Sequence, residues 1–206
     1  MVTTAARLEQ LHHEKLGDCR RYGLHEGRTN LVFGEGDPDA RIMFVGEGPG
    51  AHEDHLGRPF VGDSGVILNN ILLHSGLVRE EVYIANVVKC RPPGNRDPEP
   101  GEITACLPFL QAQIAIVRPT LLVALGRFAG NVLTQQRPNL SAEALQDRIW
   151  TYEHAALGQS IPVICLYHPA YLHRNLKTEE IKTLYPETVS RLRRAIALSK
   201  PLNLGF

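Results

Sequence analysis

The chain has 206 residues, 43% of them hydrophobic and 21% charged, with 22 basic residues against 22 acidic ones. That is the length and composition of one ordinary domain, residues 1–206, with room for a proper core. The charge balance excludes a surface that is basic throughout, so any DNA contact must come from a local patch.

Met1 to His13 reads as a polar amphipathic helix without a signal-peptide layout. No apolar run reaches the roughly 18 residues of a membrane span, so a cytoplasmic protein is expected. Further along, Ile42–Val45 is a short apolar run rich in β-branched residues, a buried strand by pattern, and it runs straight into Gly46-Glu47-Gly48-Pro49-Gly50. Ser64–Ser75 has a helical pattern. A second strand, Val82–Val88, contains Asn86 and leads to Cys90. Then come a helix over Gly101–Val117, a strand over Leu121–Leu125 and a helix over Gly126–Leu133. Within Ser141–Ala156, the piece Ile149–Glu153 suits an edge strand in a hairpin. The fourth strand, Pro162–Leu166, ends at His168-Pro169. A closing helix over Glu179–Leu198 carries Leu184, Val189, Leu192, Ile196 and Leu198 at roughly helical spacing. Strands alternating with helices predict a four-stranded, mainly parallel sheet covered on both faces, with its active site at the carboxyl ends of the strands.

Each polar feature at those ends has two readings by itself. The glycines at 46, 48 and 50 suggest a phosphate loop, but Gly-Lys-Ser/Thr is missing and no third glycine opens a helix, so a tight turn is as good. Phe60, in Gly57-Arg58-Pro59-Phe60-Val61-Gly62, is either core or a stacking plate for a flat ligand. Asn86 must have its amide satisfied, by backbone or by the edge of a base. His168 is a satisfied core residue or, aimed by the turn at Pro169, a cleft residue.

In combination these pieces resemble one family. The order Gly46-Glu47-Gly48-Pro49-Gly50 with Glu53-Asp54, then Gly57–Gly62, then Asn86 to Pro93 with Lys89-Cys90-Arg91, then His168-Pro169-Ala170-Tyr171-Leu172 with Arg174-Asn175, is similar to the family 4 uracil-DNA glycosylases. The resemblance covers about Leu16 to Asn175. It implies a three-layer α/β/α sandwich and a monofunctional hydrolase for base excision repair. This enzyme would act as a monomer, away from membranes, on single- or double-stranded DNA containing uracil.

By the same resemblance, Phe60 stacks on the flipped base and Asn86 reads its Watson–Crick edge. His168 donates to O2, backbone N–H groups around Gly48 assist, and Glu47 positions water or stabilises the positive sugar. Glu53 and Asp54 are second choices for that role. Leu172 falls at the wedge position. Arg174, Lys177, Lys89, Arg91 and Arg96 are expected on phosphates. Arg91 to Ala105 contains no histidine and no basic insert, which implies turnover rather than self-trapping on DNA, and no lysine is placed for lyase chemistry. The rival readings are a DNA- or base-binding relative without catalysis, a polymerase-associated module, and a nucleotide hydrolase whose phosphate-binding lysine the loop lacks.

The chain has four cysteines. In a cytosolic protein they are buried thiols or metal ligands rather than disulfides. The resemblance implies a structural [4Fe–4S] cluster. Cys19, Cys90 and Cys106 fall on three of its ligand places and Tyr22 on the fourth. Cys165 lies in a predicted strand and reads as a small buried hydrophobe.

Overall fold

The computed structural model describes residues 2–136, 139–146 and 148–199. Side chains alternate across its sheet. In β2 (Ile42–Gly46), Ile42 and Phe44 enter one apolar cluster while Met43 and Val45 enter another on the opposite face. Strands buried on both faces need helices on both faces. α3 (Asp63–His74) covers one with Ile67, Leu68, Ile71 and Leu72, and α4 (Pro100–Val117) covers the other with Phe109, Leu110 and Ile114.

The remaining elements are α1 (Thr4–Gln10), β1 (Glu35–Gly36), α2 (Ala51–Leu56), β3 (Tyr83–Asn86), β4 (Leu121–Leu125), α5 (Gly126–Thr134), α6 (Ala142–Gln146), β5 (Trp150–Tyr152), β6 (Ile161–Leu166), α7 (Pro169–Arg174) and α8 (Ile181–Ser199). The sheet runs β1-β3-β2-β4-β6-β5. β3, β2, β4 and β6 are mutually parallel, whereas β1 and β5 pair antiparallel at the two edges. Of the helices that follow β2, α3 packs on one face, and the helix after β4 packs on the other, so a crevice opens between the carboxyl ends of these neighbours. No helix among the described residues is long and apolar enough to cross a membrane.

The α/β architecture is as expected, but among the described residues the sheet has six strands rather than four. The four predicted strands are its parallel centre. β5 lies within the run expected as an edge strand. β1 left no sequence signal because it is two residues, one of them glycine and preceded by another, held by backbone proximity: a Cβ on Gly36 would stand 1.9 Å from the Val82 carbonyl oxygen. The N-terminal helix is shorter than expected. It gives way to a wider turn over Leu11–Leu16, which ends at Gly17 with φ +43°, and Met1 lies outside the described residues. β3 ends at Asn86 rather than Val88, although Val87 and Val88 still donate N–H bonds to Gly46 and Glu47 carbonyls at 2.9 and 3.0 Å.

Candidate active site

Four parallel strands end around one cleft of about 520 Å³, lined among others by Glu47, Gly48, Phe60, Asn86, Arg127 and His168. At its floor, β2 ends in Gly46. A Cβ there would lie 2.4 Å from Asn86 Oδ1 and 2.5 Å from the Phe60 ring. The glycine leaves room for an amide and an aromatic face to stand side by side. Gly48 is equally confined, since a Cβ would meet Val88 Cγ2 at 2.5 Å. Phe60 adopts φ +50°, and the next turn presses so close that a Cβ on Gly65 would meet the Phe60 carbonyl oxygen at 2.0 Å. Asn86 is 2% exposed, and its buried Oδ1 has no hydrogen-bond partner among the described residues. A buried acceptor left unpaired costs about 1–3 kcal/mol, so it marks a place where a ligand's donor belongs.

His168 caps α7. Its Nδ1 accepts the Ala170 N–H at 3.1 Å, and its ring lies 5.9 Å from that of Phe60. Burial, aided by the Arg174 charge, pushes its pKa down to about 4, so the imidazole is neutral. With Nδ1 accepting, the proton sits on Nε2. Gly126, at φ +86°, gives the ring its space, because a Cβ would come within 2.9 Å of His168 Cβ.

Glu47 follows β2 directly. Burial pushes its carboxyl up to about 7, the Asp97 charge adds to the rise, and the Arg127 guanidinium opposes it. Asp97 and Arg127 pair with each other at 3.3 Å. A carboxyl poised near neutrality in a cleft can hold or take a proton at working pH. Glu53 and Asp54 do other work. Glu53 accepts N–H bonds from Gly50, Val61 and Gly62, tying the glycine loop to the Phe60 loop. Asp54 accepts the Thr29 N–H at 2.9 Å and braces the N-terminal segment.

Comparison with known proteins agrees with this geometry. A model of the uracil DNA glycosylase superfamily matches residues 33–190. The type-4 uracil-DNA glycosylase of Thermotoga maritima is 43% identical over 189 residues, 91% of this chain and 94% of that protein. The chain belongs to the type-4 uracil-DNA glycosylases. A second relative of that type, from Archaeoglobus fulgidus, is 43% identical over 166 residues, covering 80% of this chain and 83% of its own. A type-5 enzyme of Thermus thermophilus is 38% identical over a shorter stretch of 138 residues, 60% of this chain and 63% of that protein.

Several residues expected on DNA are placed elsewhere. Lys89 is fully buried and donates to the Asn86 carbonyl at 2.8 Å and to Gln113 Oε1 at 2.6 Å, so it reaches no phosphate. Burial pushes its pKa down to about 7. Leu172 is also fully buried, in the core shared with α3, and a wedge has to project from the surface. Tyr171, one residue earlier, lines the cleft instead. Arg96 is engaged by the buried Glu102 carboxylate at 2.6 Å. Arg174 and Lys177 are exposed, and Arg91 is half-buried with its Nε on Asn95 Oδ1 at 2.7 Å. The sequence reading missed Asp97 and Arg127. A signal existed for the second, since Gly126-Arg127 directly follows a predicted strand, as the three recognised motifs do.

The expected cluster ligands are only partly assembled. Cys19, Cys90 and Cys106 lie close together: Cys19 helps to raise the Cys90 thiol pKa, and Cys90 and Cys19 that of Cys106, in both cases a lesser effect than burial. Arg28 donates from one nitrogen to Cys90 Sγ at 3.1 Å and to the Cys19 carbonyl at 2.9 Å. Tyr22 stands apart. Its hydroxyl donates to Glu99 Oε2 at 3.3 Å, its ring packs on Gly101, and the Glu99 charge raises the phenol pKa, opposing the phenolate an iron would need. Among the described residues, no three His, Cys, Asp or Glu side chains are arranged to hold a metal ion. The donor set expected for a four-iron cluster is therefore incomplete as placed, and Tyr22 does not fit as its fourth member. Cys165 is buried in β6, as its sequence context implied.

Proposed function

We propose that this protein hydrolyses the N-glycosidic bond of deoxyuridine in DNA, releasing uracil and leaving an abasic site. The observation that carries the proposal is the unpartnered Oδ1 of Asn86, buried beside the Phe60 ring and the neutral His168. A uracil stacked on Phe60 offers its N3–H to Asn86 Oδ1 and its O4 to the amide NH2. Cytosine reverses that donor–acceptor order and leaves buried groups unpaired, which is how one amide discriminates strongly.

As the C1′–N1 bond breaks, its electron pair moves onto the base and charge builds on O2. His168 Nε2–H donates there. A preorganised donor of this kind is worth about 10²–10³ in rate. Glu47 orients a water toward C1′ and accepts the proton that the water loses on attack. No lysine lines the cleft among the described residues, which supports a hydrolase without strand-cleaving lyase chemistry. The reading includes one domain over residues 1–206, acting as a cytoplasmic monomer on single- or double-stranded DNA, with Arg174, Lys177 and Arg91 near phosphates.

It extends to metal in part. Cys19, Cys90 and Cys106 would supply three thiolates of a structural [4Fe–4S] cluster, supported by their adjacency. Tyr22 would become the fourth ligand only by leaving Glu99. The deciding assay incubates the protein with a uracil-containing oligonucleotide. Free uracil and an alkali-sensitive but uncut strand are expected. Rapid nicking without alkali, or DNA binding without base release, overturns the reading.

A further inference from the structure

Lys89 places its amino group in the middle of the protein, where lysine is rarely found without a dedicated partner. Its surroundings show what it holds. Val87 donates its N–H to Gly46 on β2, so the Asn86 carbonyl, one residue earlier, points to the other side of β3. On that side the β1 ladder stops at the Glu35–Ile84 pair, and among the described residues no strand reaches the Asn86 carbonyl. Lys89 Nζ takes the vacant place, donating at 2.8 Å. It is anchored in turn by Gln113 on α4, whose Nε2 donates to the Phe33 carbonyl at 2.9 Å and also reaches the Tyr83 hydroxyl at 3.4 Å. A single polar chain thus runs from α4, beneath the sheet edge, to the backbone of the residue whose side-chain oxygen waits unpartnered in the cleft.

We propose that Lys89 is a positioning residue for base recognition: by fixing the Asn86 carbonyl where the ladder has ended, it sets the depth and angle at which the Asn86 amide meets the base. This rests on the reading of Asn86 given above. The end of a strand is free to twist, and the Gly46 gap leaves the amide little tolerance, since Phe60 and Asn86 both crowd the same point. Displacement of reacting partners by about 1 Å costs on the order of 10²-fold. An amino group held by two hydrogen bonds prevents that drift.

The test is a double-mutant cycle of Lys89→Met and Asn86→Ala, read by single-turnover uracil release, affinity for a uracil-free duplex, and Tm. Lys89→Met keeps the stem and removes the donors. It is expected to slow base release about tenfold or more in the native background and less than about twofold when Asn86 is already alanine, because contacting groups couple. Duplex affinity stays unchanged. A native rate in Lys89→Met, or an equal loss in both backgrounds, overturns the proposal while leaving Asn86 as the reader. A native rate in Asn86→Ala overturns the recognition reading itself. Should Lys89→Met not fold, Gln113→Leu replaces it, leaving the lysine in place and removing its anchor on α4, and is judged by the same criteria.

Discussion

His168 and Ala170 share a hydrogen bond in which the histidine accepts, Ala170 N–H to Nδ1 at 3.1 Å. One local bond thereby settles the tautomer of the residue proposed to face the base. The proton is on Nε2 of a cleft-lining ring, so the cap that starts α7 would also prepare the proposed donor to the base.

Replacing His168 by alanine should slow single-turnover base release by about 10²-fold or more while DNA affinity stays within a few-fold. Parallel loss of affinity and folding would assign His168 to structure. The same buried ring has a stability signature. Its folded pKa, about 4, lies below the ordinary histidine value, so between those pH values the unfolded chain binds the extra proton. His168 therefore makes stability fall as the pH drops from about 6.5 toward 4, and this slope should flatten in His168→Phe, measured by denaturant titration across that range.

In the proposed mechanism the Glu47 carboxylate is the active form, and burial holds its pKa at about 7, so Glu47 should impose an ascending limb on kcat/KM near pH 7. Asp97 raises that value and Arg127 lowers it. Asp97→Asn should move the limb to lower pH and Arg127→Met to higher pH, with Glu47→Gln removing it and most activity. Limbs that stay fixed in both variants would show that Glu47 does not set the profile.

Asn86→Ala should remove most uracil release, and Asn86→Asp should shift preference toward cytosine, read as relative rates on matched oligonucleotides. Gly46→Ala tests the same pocket from behind. Its Cβ would intrude on both Asn86 Oδ1 and the Phe60 ring, so base release should fall by on the order of 10²-fold. Duplex binding should survive, because the intrusion faces the base and not the surface.

For the metal, iron and visible absorbance of anaerobically purified protein decide. Tyr22→Cys should raise iron content toward about four per chain, the number carried over from the family resemblance. Tyr22→Phe should change iron little if the phenol stays with Glu99, as placed. A sharp loss of iron in Tyr22→Phe would instead assign Tyr22 as a ligand. Iron-free, colourless and fully active protein would reject the cluster altogether.

Local patterns determined much of this protein. β-Branched runs separated by helical periods specify a parallel sheet covered on both faces, because strands with no polar side have to be buried twice. Motif order along the chain was enough to bring Glu47, Phe60, Asn86 and His168 to one cleft, since parallel strands all deliver their carboxyl ends to the same edge. Burial and partnership were not legible. Lys89 and Leu172 sit in surface-like motifs, yet both are enclosed by α3, α4 and neighbouring strands that lie far away in sequence. Arg96 is taken by Glu102 and Tyr22 by Glu99, pairings set by where α4 begins rather than by residue type. The edge strand β1 depends on a close approach to Val82 that only the folded chain brings about. Sequence fixes which groups follow which strand; only tertiary packing decides which of them keep a face to the cleft, because desolvation and hydrogen-bond partners are properties of the assembled neighbourhood.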